Sequence, residues 1–201
     1  MGRSRGLEPP TPGTTNQCSN QLSYDRHGSA SGARPLLRFP LAPAPLRVGR
    51  VGTQASGRAM NPTIEKFGYP ATLLREFEHW LVLLRPAQVT LGSLVLAAKS
   101  DATAYSALPR EAFAEQQDTI AMIERALGAF VGYERINYLM LMMVDPNVHF
   151  HVIPRYSAAR SWEGLEFRDA GWPGPPSLAD AVKLTDAQLK SLVTEVGVNF
   201  R

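Results

Sequence analysis

The chain has 201 residues, 44% of them hydrophobic and 19% charged, which suits one globular domain with a real core and some additional length. No apolar run approaches the roughly 18 residues a membrane-spanning helix needs, and the single cysteine, Cys18, excludes an internal disulfide and fits a reducing, cytoplasmic setting. The net charge of +3 is unevenly placed: eight of the 21 basic residues but two of the 18 acidic ones fall in residues 1–60, a local +6, which leaves residues 61–201 at −3 and argues against a nucleic-acid-binding surface there.

Residues 1–60 are rich in Pro, Gly, Ser and Arg (LEPPTPGTTNQ, GSASGARP, FPLAPAPLR) and have no sustained apolar period. Such a segment cannot bury enough surface to offset its ordering entropy, so disorder is expected. Its composition, arginine-rich and nearly free of acids, is that of a transit peptide. The alternative is that translation starts at Met60, where MNPTIEKFGYP changes the character of the text. Residues 61–165 are expected to form the main domain, and 166–201 a C-terminal extension.

Phe77 to Leu84 reads as a strand, RPAQVTLG as a loop, and Ser93 to Lys99 as a second strand. Pro109 opens a helix whose Phe113, Ile120, Ile123, Leu127 and Phe130 fall on one face, with Gly132 as its stop. Arg135 to Met143 reads as a third strand, Asp145-Pro146 as a turn, and Val148 to Arg155 as a fourth strand forming a hairpin with the third. Thr185-Asp-Ala-Gln188 is a capping-box pattern, and Leu189, Leu192, Val193, Val196 and Phe200 follow at helical spacing, so a helix is expected at about 185–200.

Two of the four histidines, His149 and His151, stand one residue apart in DPNVHFHVIPRY. On a strand, Val148, Phe150 and Val152 share one face, taken as the core face, while Asn147, His149 and His151 share the other, about 7 Å apart at each step of two residues. Three readings compete. The row is a solvated face that happens to carry histidines; or His-x-His presents two ligands to a metal, with His79 or Asp145 as the third; or one imidazole is a nucleophile toward phosphorus while the other assists the leaving oxygen.

Asn147-Val-His-Phe-His-Val-Ile153, followed by Pro154-Arg155-Tyr156, resembles the His-φ-His-φ-His-φ-φ signature of the histidine triad superfamily of nucleotide hydrolases and transferases, φ being apolar. The trailing Pro-Arg-Tyr resembles its diadenosine tetraphosphate hydrolase-like branch, and the likeness spans roughly Phe77 to Tyr156. Asn147 stands in place of the first triad histidine, and Ser93 in place of the histidine in a Gly-His-x-Leu-Val strand start. The resemblance implies an α+β fold, an antiparallel sheet with a long helix packed on it. It implies a homodimer formed through that helix and the neighbouring strand. It also implies hydrolysis or transfer at the α-phosphate of a nucleoside phosphate conjugate or dinucleoside polyphosphate, with no cofactor or metal in the chemistry. His149 takes the role of nucleophile and His151 that of leaving-group assistant, while Asn137, Ser93 and Asn147 line the phosphate site. The backbone carbonyl at position 147 would hold the ring N–H of His149, a service any residue can supply. Rival expectations are a nucleotide-binding protein that no longer turns over and, after it, a metal-binding protein.

Overall fold

The computed structural model describes residues 60–201. The expected disorder of the N-terminal segment concerns residues that, up to 59, lie outside the described ones. The chain opens with a short helix α1 (Pro62–Lys66) and continues through strands β1 (Leu73–Glu76), β2 (Trp80–Leu84), β3 (Ala87–Gln88) and β4 (Leu94–Ala98) to the long helix α2 (Arg110–Val131). Strands β5 (Arg135–Leu139), β6 (His149–Arg155), β7 (Arg160–Trp162), β8 (Leu165–Phe167) and β9 (Val182–Lys183) follow, and helix α3 (Asp186–Gly197) comes last. The fold is α+β: β1, β2, β4, β6 and β5, in that order, pair antiparallel in one five-stranded sheet.

Alternation along these strands separates two apolar clusters. On one side Trp80, Val82, Leu84, Leu94, Leu96, Val148 and Val152 meet Ile123, Ala126 and Leu127 of α2, and α3 adds Leu192, Val196 and, just beyond it, Phe200. The segment 166–201 therefore packs into the main core. On the other side Leu81, Leu83, Val95 and Ala97 meet Ile64 and Phe67 of the α1 region. That second cluster was not foreseen: neither α1 nor β1 shows a period long enough to read.

Several expected elements are corrected by tertiary contacts. The strand expected from Phe77 to Leu84 is interrupted, because residues 77–79 turn between β1 and β2. The Glu115 carboxylate of α2 holds that turn by accepting from the backbone N–H groups of Glu78 (2.9 Å) and His79 (2.7 Å). The third strand ends at Leu139 instead of Met143, its last pairing being with His151, although β6 itself runs on to His149. Met143 and Val144 are left on the surface, 95% and 80% exposed. Helix α2 is turned only part of the way from the expected face: Ile123 and Leu127 of that face are buried, and Ile120 and Phe130 pack against the core. Ala112, Gln116, Thr119, Ile123, Ala126 and Leu127 are buried, and Phe113 is exposed.

The expected stops hold. Gly132 ends α2 in the left-handed region at φ 57°, and Thr185 caps α3 through the reciprocal contact with Gln188. Gly92 has φ +88°, and a Cβ there would sit 3.2 Å from Leu127, so glycine lets the loop before β4 lie close against α2. Phe200 is fully buried although it stands one residue from the end of the chain. Phe200→Ala is expected to lower the unfolding free energy by about 3–5 kcal/mol, measured by urea denaturation. A loss below about 1 kcal/mol would mean that the C-terminal turn is not part of the cooperative core.

Candidate active site

Strand β6 carries the site because the turn at Asp145-Pro146 delivers Asn147 to its start and alternation then aims His149 and His151 to the face opposite α2. The registers set the rows. His149 lies opposite Ala97, whose other partner is Leu81, while His151 lies between Val95 and Leu139. This is not a solvated face. His149 is 0%, His151 7% and Asn147 6% exposed, because α1 and Phe67 close over them. The Phe67 ring centroid is 5.6 Å from each imidazole, and the two imidazoles stand edge-to-face with centroids 5.1 Å apart.

The ring of His149 is fixed by its backbone neighbour. Its Nδ1 lies 2.8 Å from the carbonyl oxygen of Asn147. A carbonyl can only accept, so in the neutral ring Nδ1 carries the proton and Nε2 holds the free lone pair. That Nε2 is buried and has no hydrogen-bond partner, and neither has Nδ1 of His151. The arrangement leaves an imidazole nitrogen with a free lone pair beside a second imidazole, both buried under Phe67.

The Asn147 side chain has other partners. Its Oδ1 accepts from the Thr63 hydroxyl (3.0 Å) and its Nδ2 donates to the Asp101 carbonyl (3.2 Å). It thus fastens α1 and the loop after β4 to the start of β6. Lys66 adds an ion pair to Asp145 (2.5 Å), and Asn61 donates to the carbonyls of Ala98 and Ser100. Ser93 is fully buried, its hydroxyl donating to the Thr90 carbonyl (2.7 Å) and accepting from the Thr90 N–H (3.0 Å), so it closes a turn and offers nothing to a ligand. Asn137 reaches the histidine face, but its Oδ1 is held by Nη1 of Arg155 (2.7 Å). Arg155 also grips Asp169 through Nε (2.5 Å) and Nη2 (3.0 Å) and donates to the Gly174 carbonyl (2.9 Å). Four of its five donors are engaged within the protein. It anchors the 169–176 stretch, which with Arg135, Asn137 and Leu139 walls a cleft of about 470 Å³ on the His151 side.

Among the described residues no three His, Cys, Asp or Glu side chains are grouped to hold a metal ion, so neither His79 nor Asp145 supplies the third ligand that reading needs. Sequence reasoning missed Thr63, Phe67 and Arg85 as site residues. Arg85 alone left a trace in the sequence: a single cation closing the all-apolar run Trp80 to Leu84.

Burial, the neighbouring His149 and the cation of Arg85 together depress the pKa of His151 from 6.5 to about 4, against a small opposing effect of Asp145. A folded-state pKa below the unfolded one means that the unfolded chain binds more protons between those values. The His151 contribution to stability is therefore present above pH 6.5 and lost as pH falls toward 4. The expected outcome is an unfolding free energy that declines across that window in wild type and declines less in His151→Gln, read by urea denaturation at a series of pH values. Equal slopes would show that His151 titrates normally.

No family model and no curated protein matches the chain. Solved structures do. A histidine triad protein from Bradyrhizobium japonicum is similar at a TM-score of 0.56 with 16% identity, covering 71% of this chain and 98% of that one. A histidine triad protein from Sinorhizobium meliloti 1021 is similar at 0.55 with 20% identity, covering 70% and 96%. At these identities the likeness is one of fold, and the fold of this chain is that of the histidine triad proteins.

Proposed function

We propose that the chain is a nucleotide hydrolase or transferase of the diadenosine tetraphosphate hydrolase-like branch, with Asn147 in place of the first triad histidine. The observation that carries this reading is the 2.8 Å contact from His149 Nδ1 to the Asn147 carbonyl, which leaves Nε2 free and unpartnered next to His151. Nε2 attacks the α-phosphorus of a nucleoside phosphate conjugate or dinucleoside polyphosphate. An N–P bond forms, the bond from phosphorus to the leaving oxygen breaks, and the electron pair departs with that oxygen. Water then attacks the nucleotidyl-histidine, releases a nucleoside monophosphate and restores the imidazole. His151, held neutral near pH 7, assists by hydrogen bonding to the leaving oxygen, which suits a group that departs as an anion. The cleft beside Leu139, the β5 neighbour of His151, gives the leaving portion room. Entry of a phosphate requires Phe67 to yield, since Nε2 has no accessible surface while that ring is in place. No helix among the described residues is long and apolar enough to cross a membrane, and a cytoplasmic site of action is part of the proposal.

His149→Ala is expected to lower kcat/KM on adenosine polyphosphates by several orders of magnitude, with activity in the wild type unaffected by chelators. Asn147→His is expected to change the rate by less than about tenfold, because the carbonyl is kept. Full activity in His149→Ala would sink the nucleophile assignment. Binding without turnover in the wild type, with activity raised a hundredfold or more by Asn147→His, would favour a binding-only protein.

The proposed assembly is a homodimer. What supports it is a largely apolar groove of about 420 Å³ between α2 and the edge strand β5, where Phe113, Ile120, Tyr138 and Phe150 stand with Gln116 and Gln117. Phe113→Glu is expected to shift the mass seen by light scattering from dimer to monomer. A wild-type monomer, or a variant that still dimerises, would overturn this placement.

A further inference from the structure

Among the described residues three buried side-chain polar atoms have no hydrogen-bond partner: Nε2 of His149, Nδ1 of His151 and Nε of Arg85. The two imidazoles belong to the site already described, whereas the guanidinium was not expected from the motif. An unsatisfied buried donor is costly, and more so on a charged group, so a protein that keeps one invites the question of what satisfies it.

Register places Arg85 on the histidine face. Leu81 and Leu83 of β2 point to that side with Val95 and Ala97, and Arg85 continues the alternation. Its backbone N–H donates to the Ser93 carbonyl (3.0 Å), so pairing with β4 runs one residue past the strand. Its Cα then lies two strands across from β6 and one side-chain row along from His151, roughly 10 Å and 7 Å respectively, within reach of an extended arginine. One bond is local: Nη1 donates to the carbonyl of Ala87 and orients the fork. Arg85 makes no ion pair among the described residues, whereas the other nearby cations do, Lys66 with Asp145 and Arg155 with Asp169. A desolvated phosphoryl group needs a cation within reach, and a guanidinium fork matches its oxygens.

We propose that Arg85 is a phosphate-binding residue, its guanidinium taking an oxygen of the phosphoryl group that His149 attacks, so that Nε2 of His149 faces the phosphorus while Arg85 and His151 face oxygens of the same anionic phosphate. The proposal rests on the hydrolase reading for the identity of that group. With the Ser93 hydroxyl closed inside its turn and the Asn147 amide fastening α1, Arg85 supplies the charge that those two positions do not.

The test compares binding of inorganic phosphate, adenosine monophosphate and adenosine to the full wild-type chain and to Arg85→Met by calorimetry. Arg85→Met is expected to lose roughly 10- to 100-fold in affinity for phosphate and the monophosphate, to bind adenosine as before, and to regain part of the loss as Arg85→Lys. Equal affinities in wild type and Arg85→Met overturn the proposal, and do so while leaving the hydrolase reading intact if His149→Ala still abolishes turnover. Arg85-dependent phosphate binding in a protein that turns over no nucleotide upholds the anion site and sinks the hydrolase reading instead. A wild type that binds neither phosphate nor the monophosphate overturns the proposal. If Arg85→Met does not fold, the Nε–H resonance of Arg85 in the wild-type chain decides: it shifts on titration with phosphate, and a resonance that stays in place overturns the assignment.

Discussion

Strand β6 is buried on both faces, and the two faces have different chemistry. Val152, backed by Val148 just before the strand, packs against the α2 side with Phe150 half-buried beside it, while His149, His151 and Arg155 lie on the other. A one-residue slip in register would push the imidazoles into the main core and aliphatic side chains into the site. Hydrogen bonds to β4 and β5 on both edges of β6 set that register. The low dielectric around the imidazoles follows from the same burial. It keeps His151 uncharged near neutrality and makes any cation close by, Arg85 above all, count for more than it would in water.

Position 147 shows how backbone and side chain can serve separate ends at one residue. The carbonyl sets the tautomer of His149, and every residue type supplies it. The amide is then free to bind Thr63 and Asp101, which ties the covering helix and the loop after β4 to the strand that carries the site. A change of side chain at this position therefore bears first on how α1 is held, since the carbonyl that orients His149 stays. Arg155 is the corresponding anchor at the other end of β6. A buried pair with Asp169, both side chains at most 5% exposed, together with bonds to Asn137 and Gly174, joins the sheet to the chain that walls the cleft. Breaking one partner of such a pair leaves an uncompensated buried charge, so this anchor confers position at the cost of tolerance to substitution.

Much of the fold and the shared face of His149 and His151 were legible in the sequence, since they rest on local rules. The period of two in Val148 to Arg155 separated the imidazoles from the core, the turn pair Asp145-Pro146 marked the hairpin, and Thr185 with Gln188 marked the start of α3. Each of these depends on residues within a few positions of one another. What the sequence could not show was decided by contacts across long separations. Glu115 breaks a strand 36 residues upstream at His79, and Thr63 meets Asn147 across 84 residues. The rotation of α2 reflects which of its flanks the sheet covers, which the helical period alone leaves open. Ser93 is a local exception: the resemblance put its hydroxyl in the phosphate site, but Thr90, three residues earlier, closes it into a turn that no apolar period announces. Phe67 and Arg85 came near the imidazoles only when the sheet order set β2 across β4 from β6, and the α1 segment over that face, because the pairing of non-consecutive strands is a property of the packed molecule and leaves no period in the chain.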